Sequence, residues 1–452
     1  MRTEEEKRKA VEMLMQKNVL VTPEMLSKLE AEPSVEILFS YQENSRKRDC
    51  SDFVAYFNDR FRQIEKILMA RPEVTNLTTI GRLKMMKPRD KVSIIGIIED
   101  KQTTKNENLM LTLEDQTGKT RVIVNKNNPE LFSIAKDCVN DEVIAINGTT
   151  NGEIIFANNI ILPDIPNGEL KKGPIDNYAA FLSDIHVGSK KFLGEDFEKF
   201  LKWISGELGN EDQRELASKV KYIFIIGDVV DGVGIYPDQE EELEITDIYK
   251  QYKKCAELLS KIPLDKKLII SPGNHDSMRI SEPQPAFTGE IFEPLAKLPN
   301  AMLVSNPALV RIEKSENFSG LDVLMYHGYS FDYYVANVES IRTKGGYDRA
   351  DLIMKFLLER RHLSPTHTAT LYLPNTTDNH VIRVVPDIFA TGHIHRSYAS
   401  QYKHVTLISS SCWQGKTSFQ ERMGHVPQPA RVPIINLKTR EVTILKFGEE
   451  NG

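Results

Sequence analysis

Five short motifs after residue 180 combine metal-binding side chains with glycines that permit sharp turns. In chain order they are Asp184-Ile185-His186, Gly227-Asp228 with Asp231, Gly273-Asn274-His275-Asp276, His327-Gly328 and Gly392-His393-Ile394-His395. Mixed Asp, Asn and His donors suit Mn²⁺, Fe²⁺ or Zn²⁺ better than the all-oxygen sets of Ca²⁺ and Mg²⁺. Because these motifs hold more ligand-type side chains than one ion needs, they predict a site for two metal ions.

Each of these motifs follows a run of apolar, β-forming residues. These runs span residues 179–182, 222–226, 268–270, 321–326 and 388–390, and another spans 405–408. Helical patterns occur at 195–208, 245–262 and 351–360. Strands this apolar are buried on both faces by covering layers, and ligands bind in the crevice at their carboxyl ends. The pattern therefore predicts an α/β domain, residues 171–452, whose strand ends bring the motifs together.

The preceding region, residues 76–170, changes to short β-rich runs. They span 92–98, 109–113, 121–124, 141–146 and 154–161, with a helical piece at 128–134 between the third and fourth. This is the element order of an OB-fold barrel. Such barrels often bind single strands through exposed aromatic residues, but here Phe156 is the obvious one. A barrel that contacts another subunit and a barrel that binds a nucleic-acid strand both remain open.

The first 75 residues are predicted to be helical and partly polar. Residues 49–75 form a connecting helix with an apolar stripe of helical period. Residues 1–48 contain two short helical patterns, at 3–17 and 22–30, followed by a charged linker at 32–49. Helices this short do not hold a core alone, so this region is interpreted as a docking module for another protein, or else as a weakly packed appendage.

Composition narrows the class of protein further. The length of 452 residues predicts two or three domains. A net charge of −6 argues against avid DNA binding by this chain alone. The four cysteines are too scattered for a disulfide framework or a Cys-based zinc site. With no membrane-length apolar run and no signal sequence, we expect a cytoplasmic protein without a membrane partner.

The five motifs, in this order, resemble those of the calcineurin-like metallophosphoesterase superfamily. That resemblance implies a four-layer αββα sandwich. It also implies ligand sets: Asp184, His186, Asp228 and His395 for one ion, and Asn274, His327 and His393 for the other, with Asp228 bridging. In the same scheme His275 acts near the leaving oxygen, Asp276 orients it, and Asp231 supports the loop from outside the ligand set.

A narrower resemblance rests on the barrel preceding the phosphoesterase region and on the run Ser411-Cys412-Trp413-Gln414-Gly415-Lys416-Thr417-Ser418-Phe419-Gln420, with Pro427 and Pro429 following. Together they are similar to the small-subunit family of archaeal family D DNA polymerases. The resemblance implies a 3′–5′ proofreading exonuclease that acts on single-stranded 3′ ends beside a large catalytic subunit. It also implies two divalent cations, Mn²⁺ first, with Fe²⁺ or Zn²⁺ as alternatives.

Further residues are candidates for contact with the substrate. Lys190 and Arg396 flank the motifs, and Trp413 could stack on a base; solvated surface or core packing are the alternative interpretations. Two other functions remain open at this point. One is a catalytically silent structural subunit of a polymerase, and the other is a metal-dependent phosphatase or cyclic phosphodiesterase.

Overall fold

The protein is described by a computed structural model that covers residues 34–42, 46–422 and 426–448. Its strands are β1 (Val35–Ser40), β2 (Asp90–Thr103), β3 (Leu109–Asp115), β4 (Gly118–Val124), β5 (Val143–Thr150), β6 (Ile154–Ile161), β7 (Tyr178–Leu182), β8 (Val220–Ile226), β9 (Lys267–Ser271), β10 (Ala301–Leu303), β11 (Ala308–Ile312), β12 (Leu321–Tyr326), β13 (Ile388–Thr391), β14 (Tyr398–Tyr402), β15 (Val405–Ser409), β16 (Arg431–Asn436) and β17 (Val442–Lys446). Its α-helices are α1 (Cys50–Met69), α2 (Pro129–Asp137), α3 (Gly194–Ile204), α4 (Glu211–Lys219), α5 (Ile248–Leu259), α6 (Glu293–Ala296), α7 (Phe331–Asn337), α8 (Glu339–Thr343), α9 (Ala350–Arg360) and α10 (Ser418–Arg422).

The chain divides into two compact units. Among the described residues, the first unit contains 34–42, 168–329, 386–422 and 426–448, and the second contains 46–167 and 330–385. None of the helices in the described part of the chain has the length and apolar character of a membrane span.

Two six-stranded sheets form the first unit. One has the order β1-β11-β12-β13-β15-β14 and the other the order β10-β9-β8-β7-β16-β17. Strands β7 to β10 are parallel to one another, as are β12, β13 and β15. Strand β16 joins the first of these groups in an antiparallel pair, and β11 and β14 join the second in antiparallel pairs. Apolar side chains from both sheets, such as Phe181, Phe224, Val323 and Ile388, share one buried core. The two sheets therefore pack face to face.

Helices cover the opposite face of the second sheet. Helix α3 is strongly amphipathic, and it buries Phe197, Phe200 and Trp203 against the outward side chains of β7 and β8. Helix α5 adds Tyr252 and Leu259 to the same core. Continuous apolar strands need cover on both faces, and these helices provide it.

A closed barrel with the order β2-β3-β4-β6-β5 is the main feature of the second unit. Its inward-facing Val, Ile and Leu side chains form a core that helix α2 closes through Leu131 and Ala135. Helix α1 begins with a capping box between Asp49 and Asp52. It packs Phe61, Ile64 and Leu68 onto the outside of the barrel.

A buried ionic network joins α1 to the 330–385 segment within the second unit. Nε of Arg60 lies 2.7 Å from Oδ2 of Asp378, and both side chains are completely buried. The same carboxylate oxygen lies 2.8 Å from Nε2 of His362. The guanidinium of Arg60 also lies over the rings of Phe57 and Tyr372. Helix α1 is therefore stabilised by a buried ion pair and cation–π contacts as well as by apolar packing.

The predicted mixed α/β class is confirmed, and each of the predicted strands corresponds to a strand of the structure. The predicted linker at 32–49 is wrong in part, because β1 lies inside it and pairs with β11. Its apolar run Val-Glu-Ile-Leu-Phe-Ser was obscured by charged neighbours. The predicted boundary at 170/171 lies three residues after the change of unit between Asn167 and Gly168. Residues 330–385, however, which the prediction placed in the C-terminal domain, group with the barrel. The helices predicted at 3–17 and 22–30 lie outside the described residues.

Candidate metal centre

The five motifs lie in the first unit at the carboxyl ends of neighbouring parallel strands. Three of them follow β7, β8 and β9 in one sheet, and two follow β12 and β13 in the other. The two sets meet, because the backbone N–H of His393 donates to Oδ2 of Asp184 at 2.9 Å. Side chains separated by up to 211 positions in the sequence, from Asp184 to His395, therefore reach one crevice.

Two glycines allow these strand ends to approach closely. A Cβ atom on Gly227, whose φ is +78°, would lie 2.3 Å from Nδ1 of His327. A Cβ atom on Gly273 would lie 2.2 Å from Oδ1 of Asp228. No larger residue fits at either position unless a side chain of the site moves.

Asp184, His186 and His395 form the first cluster of the site. The Nε2 atoms of the two histidines lie 3.2 Å apart. Oδ1 of Asp184 lies 3.3 Å from Nε2 of His395 and 3.9 Å from Nε2 of His186. All three side chains are buried. Two imidazole nitrogens and a carboxylate oxygen at these separations can ligate a single cation.

Asp228, His327 and Asn274 form the second cluster, and Asp184 also lies within ligand distance of it. Nε2 of His327 lies 2.9 Å from Oδ1 of Asn274 and 3.3 Å from Oδ2 of Asp228. Nδ1 of His327 donates to the carbonyl of Ile226 at 2.9 Å. That bond leaves Nε2 as the nitrogen available to a metal ion. Asp184 is thus the carboxylate common to both clusters, and the bridging role of Asp228 stays a prediction.

His393 lies beside the second cluster, on the same sheet as His327. Its ring lies edge to face with the ring of His327 at a centroid distance of 5.2 Å. Its backbone, like that of four other predicted ligands, is left-handed: φ lies between 51° and 71° at Asp184, His186, Asp228, His393 and His395. Such conformations cost roughly 1–3 kcal/mol each outside glycine and concentrate at functional sites. Their presence at five predicted ligands marks this crevice as functional.

Asp231 connects the metal-binding side chains to His275. Its Oδ1 lies 3.0 Å from Nδ1 of His186, and its backbone carbonyl lies 2.9 Å from Nδ1 of His275. Gln414 donates to Oδ1 of Asp231 at 2.8 Å, and Gln239 donates to Oδ2 at 3.1 Å. The carboxylate is thereby fixed and turns Nε2 of His186 toward the first cluster.

Asp276 holds the loop that carries His275. Its two carboxylate oxygens accept from the backbone N–H of Gly273 at 2.8 Å and from the hydroxyl of Tyr252 at 3.1 Å. Burial, and then the negative charge of Asp228, raises the pKa of Asp276 to about 7. Nδ1 of His275 lies 2.9 Å from the carbonyl oxygen of Asp231, so Asp231 contacts the ring directly. The orienting role of Asp276 stays a prediction.

The carboxylates and imidazoles of the site carry opposite charges and shift one another's pKa values. Burial favours a neutral Asp184, but the positive charges of His395 and His327 outweigh it and hold the pKa of Asp184 at about 2. Burial also works against a charged His327, yet Asp228 raises the pKa of His327 to about 10. The pKa of Asp228 lies well below its ordinary value because His327 and His275 outweigh burial. Protonated His327 and His395 thus oppose the negative charges of Asp228 and Asp184.

Curated proteins similar to this chain share one description. A protein from Methanothermobacter thermautotrophicus described as DNA polymerase II small subunit is 41% identical over 389 residues, which cover 86% of this chain and 78% of that protein. The chain belongs to the DNA polymerase II small subunit family. A second family member, from Archaeoglobus fulgidus, is 39% identical over 410 residues, covering 90% of this chain and 79% of its own.

Two other comparisons accompany this family assignment. The sequence profile of the DNA polymerase alpha/epsilon B-subunit family matches residues 179–400, which include both clusters. A solved structure described as a novel archaeal phosphodiesterase aligns with 59% of this chain and 98% of its own, at 12% identity and a TM-score of 0.29. That likeness is too low to indicate an activity.

The crevice of this DNA polymerase II small subunit family member fits divalent cations. Oδ1 of Asp184 is buried and accepts no hydrogen bond from the described residues. A buried carboxylate oxygen without a donor is costly unless a cation faces it. The neighbouring donors, imidazole nitrogens and carboxylate or amide oxygens, are those that Mn²⁺, Fe²⁺ and Zn²⁺ accept.

The residues predicted to contact the substrate are not brought together. Trp413 is 1% exposed and packs edge to face on Phe197 at 4.8 Å, so it is a core residue and not a substrate contact. The backbone of Trp413 nevertheless lies beside the site, because its N–H donates to the carbonyl of Asp184. Nζ of Lys190 donates to the carbonyl of Glu241 at 2.8 Å. Arg396 is half-buried.

Sequence reasoning missed a set of polar and aromatic residues around the site. The side-chain nitrogen of Gln420 lies 2.9 Å from Nδ1 of His395, and Gln414 and Gln239 hold Asp231. The rings of Tyr236 and Tyr329 contact those of His275 and His393. Glutamine and tyrosine are common surface and core residues, so only their placement beside the clusters distinguishes them. Gln414 and Gln420 had a signal, because both lie within the 411–420 run that supported the family resemblance.

Proposed function

We propose that this chain is a 3′–5′ proofreading exonuclease subunit of a DNA polymerase. The observation that carries the proposal is the complete set of seven ligand-type side chains around one buried crevice. A subunit that served only as a scaffold would gain nothing from buried carboxylates on strained backbone. The name that the relatives share, DNA polymerase II small subunit, supports the polymerase context.

The proposal includes the architecture and the partners of the subunit. The closed barrel is an OB-fold at 76–170, and the facing sheets with their covering layers form the four-layer metallophosphoesterase domain. The chain works beside a large catalytic subunit, from which a single-stranded DNA 3′ end reaches the crevice. A net charge of −6 agrees with this arrangement, because the cations and the partner then supply the positive potential.

The two clusters provide places for two divalent ions. Asp184, His186, Asp228 and His395 would hold one ion, and Asn274, His327 and His393 the other. Asp228 would be shared by both ions, and Asp184 lies within reach of both clusters. Mn²⁺ is the proposed metal, with Fe²⁺ or Zn²⁺ as alternatives. When bound, such ions activate a water molecule and offset the negative charge of the scissile phosphate.

His275 is the proposed proton donor to the leaving 3′ oxygen. Its Nδ1 is committed to the carbonyl of Asp231 at 2.9 Å, so Nε2 is the nitrogen free to act. Its backbone N–H donates to Oδ1 of Asp228 at 2.8 Å, which fixes the loop beside the clusters. Burial is the main cause of the lowered pKa of His275. Once protonated, the ring is therefore a stronger acid than an exposed histidine.

The test is digestion of single-stranded DNA by the full-length chain together with its large subunit, without nucleotides. With Mn²⁺, a 5′-labelled strand should shorten stepwise from its 3′ end, and a chelator should stop it. Asp228→Ala should abolish both metal binding and digestion, whereas the exposed control Asp212→Ala should change neither. A parental rate in Asp228→Ala would refute the site.

The same preparation separates the alternative functions. Metal-dependent hydrolysis of a nucleoside monophosphate or cyclic nucleotide without DNA shortening would identify a phosphatase or cyclic phosphodiesterase. Absence of all hydrolysis, with the large subunit and Mn²⁺ present, would identify a catalytically silent structural subunit.

A further inference from the structure

Two half-buried tyrosines adjoin different histidines of the site. The ring of Tyr236 meets that of His275 edge to face at 6.3 Å, and the ring of Tyr329 meets that of His393 at 5.7 Å. A chain of contacts connects the two histidines. The backbone N–H of His275 donates to Oδ1 of Asp228 at 2.8 Å, Oδ2 of Asp228 lies 3.3 Å from Nε2 of His327, and the ring of His327 meets that of His393 at 5.2 Å. Tyr236 thus adjoins the proposed proton donor, and Tyr329 adjoins a predicted ligand of the second cluster.

Tyr236 is held as a rigid platform. Its hydroxyl donates to Oε2 of Glu242 at 2.8 Å, and Oε1 of Glu242 accepts from the backbone N–H of Ser418 at 3.0 Å. The exposed carboxylates of Glu240 and Glu241 belong to the same turn. Carboxylates repel phosphate, so the part of a nucleotide that fits against Tyr236 is its uncharged base.

We infer that Tyr236 and Tyr329 are stacking platforms for the bases on either side of the scissile phosphate, and that they make the site select unpaired 3′ ends. The inference rests on the proposed exonuclease function. Bases in a duplex are already stacked on both faces and paired at their edges, so only a frayed, mismatched or single-stranded end can offer a free face. Stacking on an aromatic ring tolerates any base, which suits a proofreading site that must remove all four.

The experiment compares two single-stranded substrates of equal length and charge. In one strand the two 3′-terminal nucleotides are normal thymidines, and in the other they are reduced abasic nucleotides that keep sugar and phosphate. For the parental chain with its large subunit and Mn²⁺, kcat/KM should be about tenfold or more higher for the normal strand. The double variant Tyr236→Leu/Tyr329→Leu should lower kcat/KM on the normal strand to the abasic level and lose the preference.

Controls separate the role of the rings from stability. The double variant Tyr236→Phe/Tyr329→Phe keeps both rings and should keep the preference for bases. Tyr249→Leu replaces a tyrosine that is 57% exposed on α5 and should behave as the parent. Mn²⁺ stoichiometry and circular dichroism of the leucine variant should match those of the parent.

The outcomes distinguish this inference from the proposed function. If the parental chain digests both strands at equal rates, the inference is overturned while the exonuclease stands. If the leucine variant keeps the parental preference, bases are recognised elsewhere and the tyrosine assignment is overturned. If the parental chain digests neither strand, the proposed function fails and the inference falls with it.

Discussion

Oδ1 of Asp231 lies 3.0 Å from Nδ1 of His186, on the side of the imidazole ring opposite the first cluster. The same residue contacts His275, but through its backbone carbonyl. One aspartate therefore orients a metal-binding histidine with its side chain and the proposed proton donor with its main chain. These two functions can be separated by mutation, because a substitution removes only the carboxylate.

Asp231→Asn should weaken metal binding while leaving the His275 ring in place. Loss of a carboxylate that orients a ligating histidine typically costs 10–100-fold in metal affinity, so we expect the Kd for Mn²⁺ to rise by about that factor. Titration of the metal-free protein, with free Mn²⁺ followed by electron paramagnetic resonance, measures it. Asp212→Asn is the matched exposed control, and an unchanged Kd in Asp231→Asn would show that His186 is oriented by other groups.

His275→Ala should slow the hydrolysis of substrates with poor leaving groups more than the hydrolysis of substrates with good ones. Positioned proton transfer is worth about 10²–10⁴-fold, so DNA digestion should fall by that factor with metal content unchanged. The p-nitrophenyl ester of thymidine 5′-phosphate has a leaving group that needs no proton, and its hydrolysis should fall much less. Equal losses on the two substrates, measured as kcat, would show that His275 acts on binding or on the attacking water instead.

Metal binding should release protons and tighten as the pH rises. His327 has a pKa raised to about 10 by Asp228, against an ordinary value of 6.5, so it is protonated in the metal-free protein at neutral pH. A metal ion must displace that proton, and its affinity should increase with pH until the pKa is passed. Calorimetry at pH 7.5 in buffers of different ionisation enthalpy should show the release, and His327→Asn should release about one proton fewer. No proton release by the parental chain would contradict the geometry of the second cluster.

Arg60→Met should destabilise the second unit without changing the metal site. The substitution leaves Asp378 buried without its 2.7 Å partner, and breaking a buried ion pair on one side typically costs about 3–5 kcal/mol. Urea unfolding followed by circular dichroism should show that loss. Arg62→Met, which replaces an exposed arginine on the same helix, is the control. A loss below about 1 kcal/mol would mean that His362 and His380 compensate the charge.

The strands that position the site could be predicted from the sequence because two signals lie next to each other in the chain. These signals are the apolar runs and the motifs that follow them. Apolar runs such as 222–226 identify buried strands, and the glycine and histidine motifs directly follow them. Because every motif follows a strand, the sequence indicates that the motifs lie at strand ends. The structure places them at the ends of strands from two facing sheets.

Features that depend on distant pairing could not be predicted in this way. Strand β1 is recognisable only because β11 offers it a partner, and the 330–385 segment groups with the barrel through contacts such as Arg60 with Asp378. For Trp413, the sequence suggested a function that the structure does not support. Its place beside the motifs suggested a substrate contact, but its ring points into the core between Phe197 and Phe200.

The central claim is that side chains from two sheets hold a pair of cations around Asp184. Anomalous diffraction from Mn²⁺-soaked crystals of the full-length chain measures this directly. We predict two peaks about 3.5–4 Å apart, one beside His186 and His395 and one beside His327 and Asn274. No anomalous peak in the crevice, or peaks only at exposed carboxylates elsewhere, would contradict the account.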